Sequence, residues 1–304
     1  MKVLITGGSG FIGSNIARLL KEEGIDVIIF DDFSHADFKN ILDLECEVIC
    51  SDILEESLEK KIPKVDAVIH QAAVTDTTLK DDRKILTVNF VGFKNILNFC
   101  IKRKIRLIYA SSAGVYGKGP TPMRETQTLS PLNSYSYSKY LCDREVSKFF
   151  RKSPIPIVGL RYFNVYGPGE SHKGKSSSMI FQLYLQMKED KSPRVFKYGE
   201  QRRDFVYVKD VAYATFLALN VSKTVIVNVG KGEARSFNEV ISVINKVLNK
   251  NLQPEYFDNP YQEVYQEFTQ ADITLLQKLL KFTPGYSLEE GIEDYIENYL
   301  TKGI

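Results

Sequence analysis

The sequence predicts an α/β protein with a doubly wound parallel sheet. Three observations lead there. Short β-branched runs alternate with helical stretches, a glycine-rich turn joins the first run to the first helix, and two acids close the second run. A chain of 304 residues fits one large domain or two.

Taken in order, "KVLIT" is a short apolar strand followed by "GGSGFIG". "SNIARLLKEEG" then carries apolar residues at helical spacing and stops at Gly24. "DVIIFDD" is a second buried strand ending in Asp31 and Asp32. Gly7, Gly10 and Gly13 between strand and helix, with an acid about 20 residues on, form a dinucleotide-binding fingerprint. The glycines permit a tight turn, close approach of a pyrophosphate and close helix packing, while the helix N-terminus attracts phosphate. Glycines alone carry little weight; strand, helix and acid together give this turn its meaning. The alternation continues through "VDAVIHQAA" (strand into loop), "VNFVGFKNILNFCIKR" (helix), "IRLIYASSAGVYG" (strand), "SYSYSKYLCDREVSKFFRK" (helix) and "IPIVGLRYFNVYGP" (strand). The expected division is residues 1–165 with about 204–230 in a Rossmann-type lobe, and about 166–203 with 231–304 in the second lobe.

Composition narrows the function. Hydrophobic residues make up 43% and charged residues 26%, ordinary for a globular protein. A net charge of +2 without a basic tract gives no footprint for nucleic acid. Cys46, Cys50, Cys100 and Cys142 follow no disulfide or zinc spacing, and with three histidines in the chain no metal site is expected. Reduced packing thiols in a cytoplasmic protein, with no leader or membrane span at "MKVLITGG", are the expectation.

Tyr135 and Lys139 stand four apart on a predicted helix, so they share a face. A free tyrosine, with a pKa of about 10, is a poor base, but a neighbouring ammonium and an oxidised nicotinamide stabilise a phenolate. Ser112, at the carboxyl end of the preceding strand, can hydrogen-bond the same substrate hydroxyl. Bare Tyr-x-x-x-Lys is a common helix pair; behind a dinucleotide fingerprint and a Ser-Ser strand end it points to catalysis.

With "TGGSGFIG", "HQAA", "YASSAGVYG", "YSYSK", "RYFNVYGP" and "RDFVYVKDVA", nearly the whole chain resembles the extended short-chain dehydrogenase/reductase family of nucleotide-sugar epimerases and dehydratases. The resemblance implies that Phe11 and Ile12 line the pyrophosphate, Asp31 and Asp32 hold the adenosine ribose, and Gln71, Ala72, Ala73, Val74 and Thr75 pass under the cofactor. Asp52, Asn89, Lys139, Val165 and Lys173 are further implied cofactor contacts, and Tyr135 the acid/base. His70 reads as structural. Dehydratases carry an Asp-Glu pair after the catalytic hydroxyl; Ala113 and Gly114 stand there, so dehydration is disfavoured.

"ESHKGKSSSM", "GEQRRDFVYV" and "YQEFTQADIT" resemble the branch that epimerises ADP-heptoses at the exocyclic C6. Oxidation, rotation about the side-chain bond and reduction leave the carbonyl oxygen beyond the first base, so a second proton donor is required. The resemblance gives that role to Lys173, with Lys175 or His172 steadying phosphate or sugar; the plainer alternative is that both lysines only neutralise a diphosphate. It also implies substrate contacts at Ser112, Asn164, Lys175, Gln182, Phe196, Gly199, Arg203 and Tyr265. A guanidinium fork suits a diphosphate, whereas Tyr265 also fits plain packing. Asp31 favours NAD; the resemblance implies NADP, with Lys39 compensating, and NADP is the expectation. A small-molecule nucleotide sugar is the expected partner, within a homo-oligomer, a pentamer in the resembled branch. A UDP-hexose 4-epimerase, or a non-enzymatic redox sensor that keeps the dinucleotide site, are the alternatives.

Overall fold

The computed structural model describes residues 1–76, 79, 81–260 and 265–302. The first half runs β1 (Lys2–Thr6), α1 (Phe11–Glu22), β2 (Asp26–Asp31), β3 (Glu47–Cys50), α2 (Leu58–Lys61), β4 (Ala67–His70), α3 (Asp82–Leu86), α4 (Gly92–Arg103), β5 (Arg106–Ser112), α5 (Ser134–Ser147) and β6 (Ile157–Tyr162). The second half runs β7 (Asn164–Tyr166), α6 (Met179–Lys188), β8 (Arg194–Phe196), β9 (Arg202–Tyr207), α7 (Val208–Ala218), β10 (Val225–Val229), β11 (Ala234–Ser236), α8 (Phe237–Leu248), β12 (Glu255–Phe257), α9 (Thr274–Leu280) and α10 (Leu288–Tyr295).

Seven parallel strands form the main sheet in the order β10-β6-β5-β4-β1-β2-β3. The expected α/β class and doubly wound sheet are therefore the observed ones. Strand order switches between β1 and β4, with β2 and β3 laid to one side of β1 and the later strands to the other, and in such sheets the crevice beyond the carboxyl ends at that switch holds the ligand. Residues alternate across β1: Val3 and Ile5 pack with Ile16 and Leu20 of α1, while Leu4 faces Phe93 and Leu97 of α4. Burying each such side chain fully contributes about 1.5–3 kcal/mol.

The apolar run "IPIVGLRYFNVYGP" is two strands rather than one. After β6 the chain leaves the main sheet, and β7 joins β9 and β11 in a three-stranded sheet. β9 belongs to that small sheet, so the expected boundary near residue 204 falls inside it. A separate core of Tyr166, Leu183, Tyr184, Val240, Ile244 and Tyr295 fills the second lobe. Ser236 with Glu239, and Ser287 with Glu290, form reciprocal caps that start α8 and α10. No helix among the described residues is long and apolar enough to cross a membrane.

Candidate active site

Gly7 has φ +66, and a Cβ there would sit 2.6 Å from the backbone nitrogen of Ala72. At Gly13 a Cβ would lie 2.2 Å from the Gly7 carbonyl oxygen, so the first turn of α1 can press on β1 only as glycine. Gly10 caps α1 without a side-chain bond, leaving the helix N–H groups open. The Ser9 hydroxyl is buried and has no hydrogen-bond partner. A bare glycine cradle, open helix donors and an orphaned hydroxyl fit a dinucleotide pyrophosphate.

Asp31 is 6% exposed and accepts from the N–H groups of Ser9 (3.0 Å) and Phe33 (2.9 Å). Burial pushes its carboxyl above the ordinary range, while these two donors pull the other way. Asp32, next in the chain, and Lys39 are exposed, and Asp52 accepts from the Leu54 N–H. Ile12 packs on the core from the first turn of α1. Gln71 donates to the Tyr162 hydroxyl (3.2 Å). Ala72, Ala73 and Thr75 follow it in a stretch without regular structure, where Val74 is buried. Asn89 lies behind this stretch: its amide accepts from the Val74 N–H (2.8 Å) and donates to the Val74 carbonyl and Ser138 hydroxyl (both 3.0 Å). It holds the loop, a role that the expectation of direct cofactor contact did not include.

Asn133 caps α5 by accepting from the Ser136 N–H (2.8 Å), which sets Tyr135 in its first turn. The Lys139 ammonium donates to the Ala110 carbonyl of β5 (2.9 Å) and lies 5.9 Å from the centre of the Tyr135 ring. Ser112, ending β5, accepts from the Gly114 N–H (3.1 Å). A Cβ at Gly114, where dehydratases keep an acid, would fall 2.4 Å from the Ser136 hydroxyl, so a side chain there would require Ser136 to turn away. Burial, with help from Lys139, pulls His70 down to about 3, so it stays neutral against Thr6 (2.7 Å), a structural part as expected.

Beyond β7 the loop over residues 171–176 leans back on the glycine turn. Lys173 is half-buried, with its ammonium 5.6 Å from the centre of the Phe11 ring. Burial pulls it below the usual lysine range, and nearby Glu170 opposes that pull. Lys175 is exposed; His172 is half-buried with Nδ1 3.4 Å from the Asn40 amide nitrogen. A cavity of about 1060 Å³ opens next door, with Asn164, Val165, Gln182, Phe196, Arg203 and Tyr265 among its walls. Arg203 lies 4.7 Å from the centre of the Tyr265 ring and 5.9 Å from that of Phe237. The cavity thus gathers five expected substrate contacts scattered over a hundred positions, together with Val165, which was expected at the cofactor. Ser112, Lys175 and Gly199 are not in its walls; Gly199 (φ +75) lies against Asn238 instead. Phe237 and Phe257, also in the walls, were missed because a lone phenylalanine in sequence reads only as core.

A dinucleotide cradle facing a tyrosine–lysine helix, beside a second-ligand cavity, defines the class of α/β enzymes that act on one ligand with a bound nicotinamide. The chain belongs to the NAD dependent epimerase/dehydratase family, whose profile matches residues 3–230. It is 37% identical, over 97% of its length and 96% of the relative's, to ADP-L-glycero-D-manno-heptose-6-epimerase of Brachyspira hyodysenteriae. The crystal structure of the Helicobacter pylori ADP-L-glycero-D-manno-heptose-6-epimerase superposes with a TM-score of 0.91 at 39% identity, covering 98% of this chain and 95% of that one. UDP-glucose 4-epimerase of Thermotoga maritima, solved with UDP-glucose, gives 0.92 at 27% identity over the full length of both.

Proposed function

We propose that this protein interconverts ADP-D-glycero-D-manno-heptose and ADP-L-glycero-D-manno-heptose by epimerisation at C6. The observation that carries this is the half-buried Lys173 beside the glycine turn, on a loop separate from the helix of Tyr135. When bound, the nicotinamide takes up and returns the electrons that make and unmake a carbonyl at C6. Tyr135 moves the hydroxyl proton in one orientation of the side chain, with Lys139 beside it and Ser112 holding the same oxygen. After rotation about the side-chain bond, Lys173 moves the proton on the other side, and burial favours the neutral amine a base must be. Arg203, between Phe237 and Tyr265, holds the diphosphate. In lipopolysaccharide core synthesis this reaction supplies the L-glycero heptose precursor. Incubation of the purified protein with either ADP-heptose epimer, followed by NMR, should give the same equilibrium mixture; no interconversion refutes the assignment. The fold match to UDP-glucose 4-epimerase supports a second reading, which turnover of UDP-glucose by the same preparation would establish.

NADP is the proposed cofactor, whose 2′-phosphate exposed Lys39 would hold; mass spectrometry of the denatured protein showing NAD alone would overturn it. We further propose a cytoplasmic homo-oligomer, a pentamer as in the resembled branch, checked by light scattering. Residues 166–203 and 231–304 are proposed to supply most of the substrate lobe.

A further inference from the structure

The segment from Gly167 to Ser178, which carries Lys173, is held on two flanks by different bonds. On its inner flank Glu170 is fully buried and accepts from the Gly167 N–H (3.1 Å), the Ser178 N–H (2.5 Å) and the Ser178 hydroxyl (2.8 Å), closing the loop on itself. Gln182 adds bonds to the carbonyls of Lys175 (3.1 Å) and Ser177 (2.9 Å).

On its outer flank two asparagines join the loop to the glycine turn. The Asn15 amide on α1 donates to the Phe11 carbonyl (2.9 Å) and across to the Pro168 carbonyl (2.8 Å). The Asn40 amide donates to the Ser9 carbonyl (3.0 Å) and across to the Gly169 carbonyl (3.1 Å). Gly169 (φ +90) passes between them: a Cβ there would lie 3.5 Å from each side chain. A carboxamide NH₂ has two donors, and here each asparagine uses them to bridge the same two segments. Phe11, whose carbonyl accepts one of these bonds, also carries the ring under the Lys173 ammonium.

Resting on the acid/base role proposed for Lys173, we propose that Asn15 and Asn40 are positioning residues that fix Lys173 relative to the dinucleotide turn. A proton-transferring group works only within hydrogen-bond reach, and a shift of about 1 Å can cost on the order of 100-fold. Tyr135 stands on α5, outside these bonds, so loss of the two amides should affect one proton transfer and spare the other.

The test uses the holoenzyme carrying Asn15→Ala with Asn40→Ala. Three measurements are made: bound dinucleotide per chain, backbone amide exchange over 167–178, and single-turnover oxidation of each heptose epimer. Expected, with saturating dinucleotide present, are unchanged cofactor content, loop exchange about tenfold faster, and a loss of roughly 10- to 100-fold for the epimer served by Lys173, with the other within about twofold. Unchanged loop exchange overturns the bridging role. Faster exchange with both epimers affected equally, or neither, overturns the positioning role. Lys173→Met run in parallel separates the two readings: equal effects on both epimers there refute the two-base mechanism, and loop exchange still decides whether the asparagines hold the loop.

Discussion

At the scale of single residues, Tyr135 and Lys173 are expected to fail differently. Tyr135→Phe removes only the proton-carrying oxygen, so the dinucleotide should stay bound while kcat falls by about 10²–10⁴-fold; a loss below tenfold in steady-state assays refutes its role. Lys173 is held below the usual lysine range by burial. In the direction where it accepts the proton it must first be neutral, so the rate should rise with pH through an apparent pKa below the ordinary lysine value of about 10.4. Lys173→Met should abolish that limb and lower kcat by about 100-fold with little change in KM; a raised KM at constant kcat identifies a phosphate clamp instead. Tyr135 and Lys139 were legible because helical spacing puts them on one face of α5, and Ser112 because it ends the apolar run that became β5. Asn15 and Asn40 were not, since their partners Pro168 and Gly169 lie more than a hundred positions away and polar helix or loop residues carry no pattern.

At the scale of elements, α5 is pinned to the main sheet by a buried ion pair. Arg161 of β6 donates to Asp143 of α5 (2.8 Å), their side chains being 4% and 3% exposed. The Tyr109 hydroxyl donates to the other Asp143 oxygen (2.8 Å), and Arg161 also reaches the Tyr116 hydroxyl (2.8 Å). Asp143 follows Lys139 by one helical turn on the same face, so this network fixes the height of Lys139 and Tyr135 over β5. Asp143→Ala leaves a buried guanidinium uncompensated and should cost about 3–5 kcal/mol in urea unfolding; a cost under about 1 kcal/mol would mean that water replaces the partner. Most helices and sheet strands of the first half could be read from periodicity; β3, α2 and α3, of 4, 4 and 5 residues, are too short to show one. The break between β6 and β7 could not, because both strands are apolar and only their pairing partners differ.

At the scale of the molecule, the two lobes meet around Asp204 of β9. Its carboxylate is wholly buried and accepts from the N–H groups of Lys231 (2.6 Å), Gly232 (2.9 Å) and Ala271 (2.9 Å). Burial raises it from the usual 3.8 up to about 6. The folded form therefore binds the proton more tightly than the unfolded chain. Asp204 then favours folding most below about pH 4 and progressively less up to about pH 6, a total of roughly 3 kcal/mol. Asp204→Asn should flatten this part of the stability-versus-pH curve; an unchanged slope in thermal melts counts against Asp204 as its source. No local pattern announces such a group, since the three donors come from two distant segments.

The seating of residues 167–178 on the glycine turn also bears on time. A dinucleotide lying there must pass a loop bonded to the turn at Ser9 and Phe11 before it can escape. Its residence should far outlast a catalytic cycle, so isotopically labelled dinucleotide added during turnover should enter the protein more slowly than sugar is converted. Each molecule then keeps a private redox equivalent that it lends and recovers, and its flux should be indifferent to the ratio of oxidised to reduced nicotinamide in the surrounding pool.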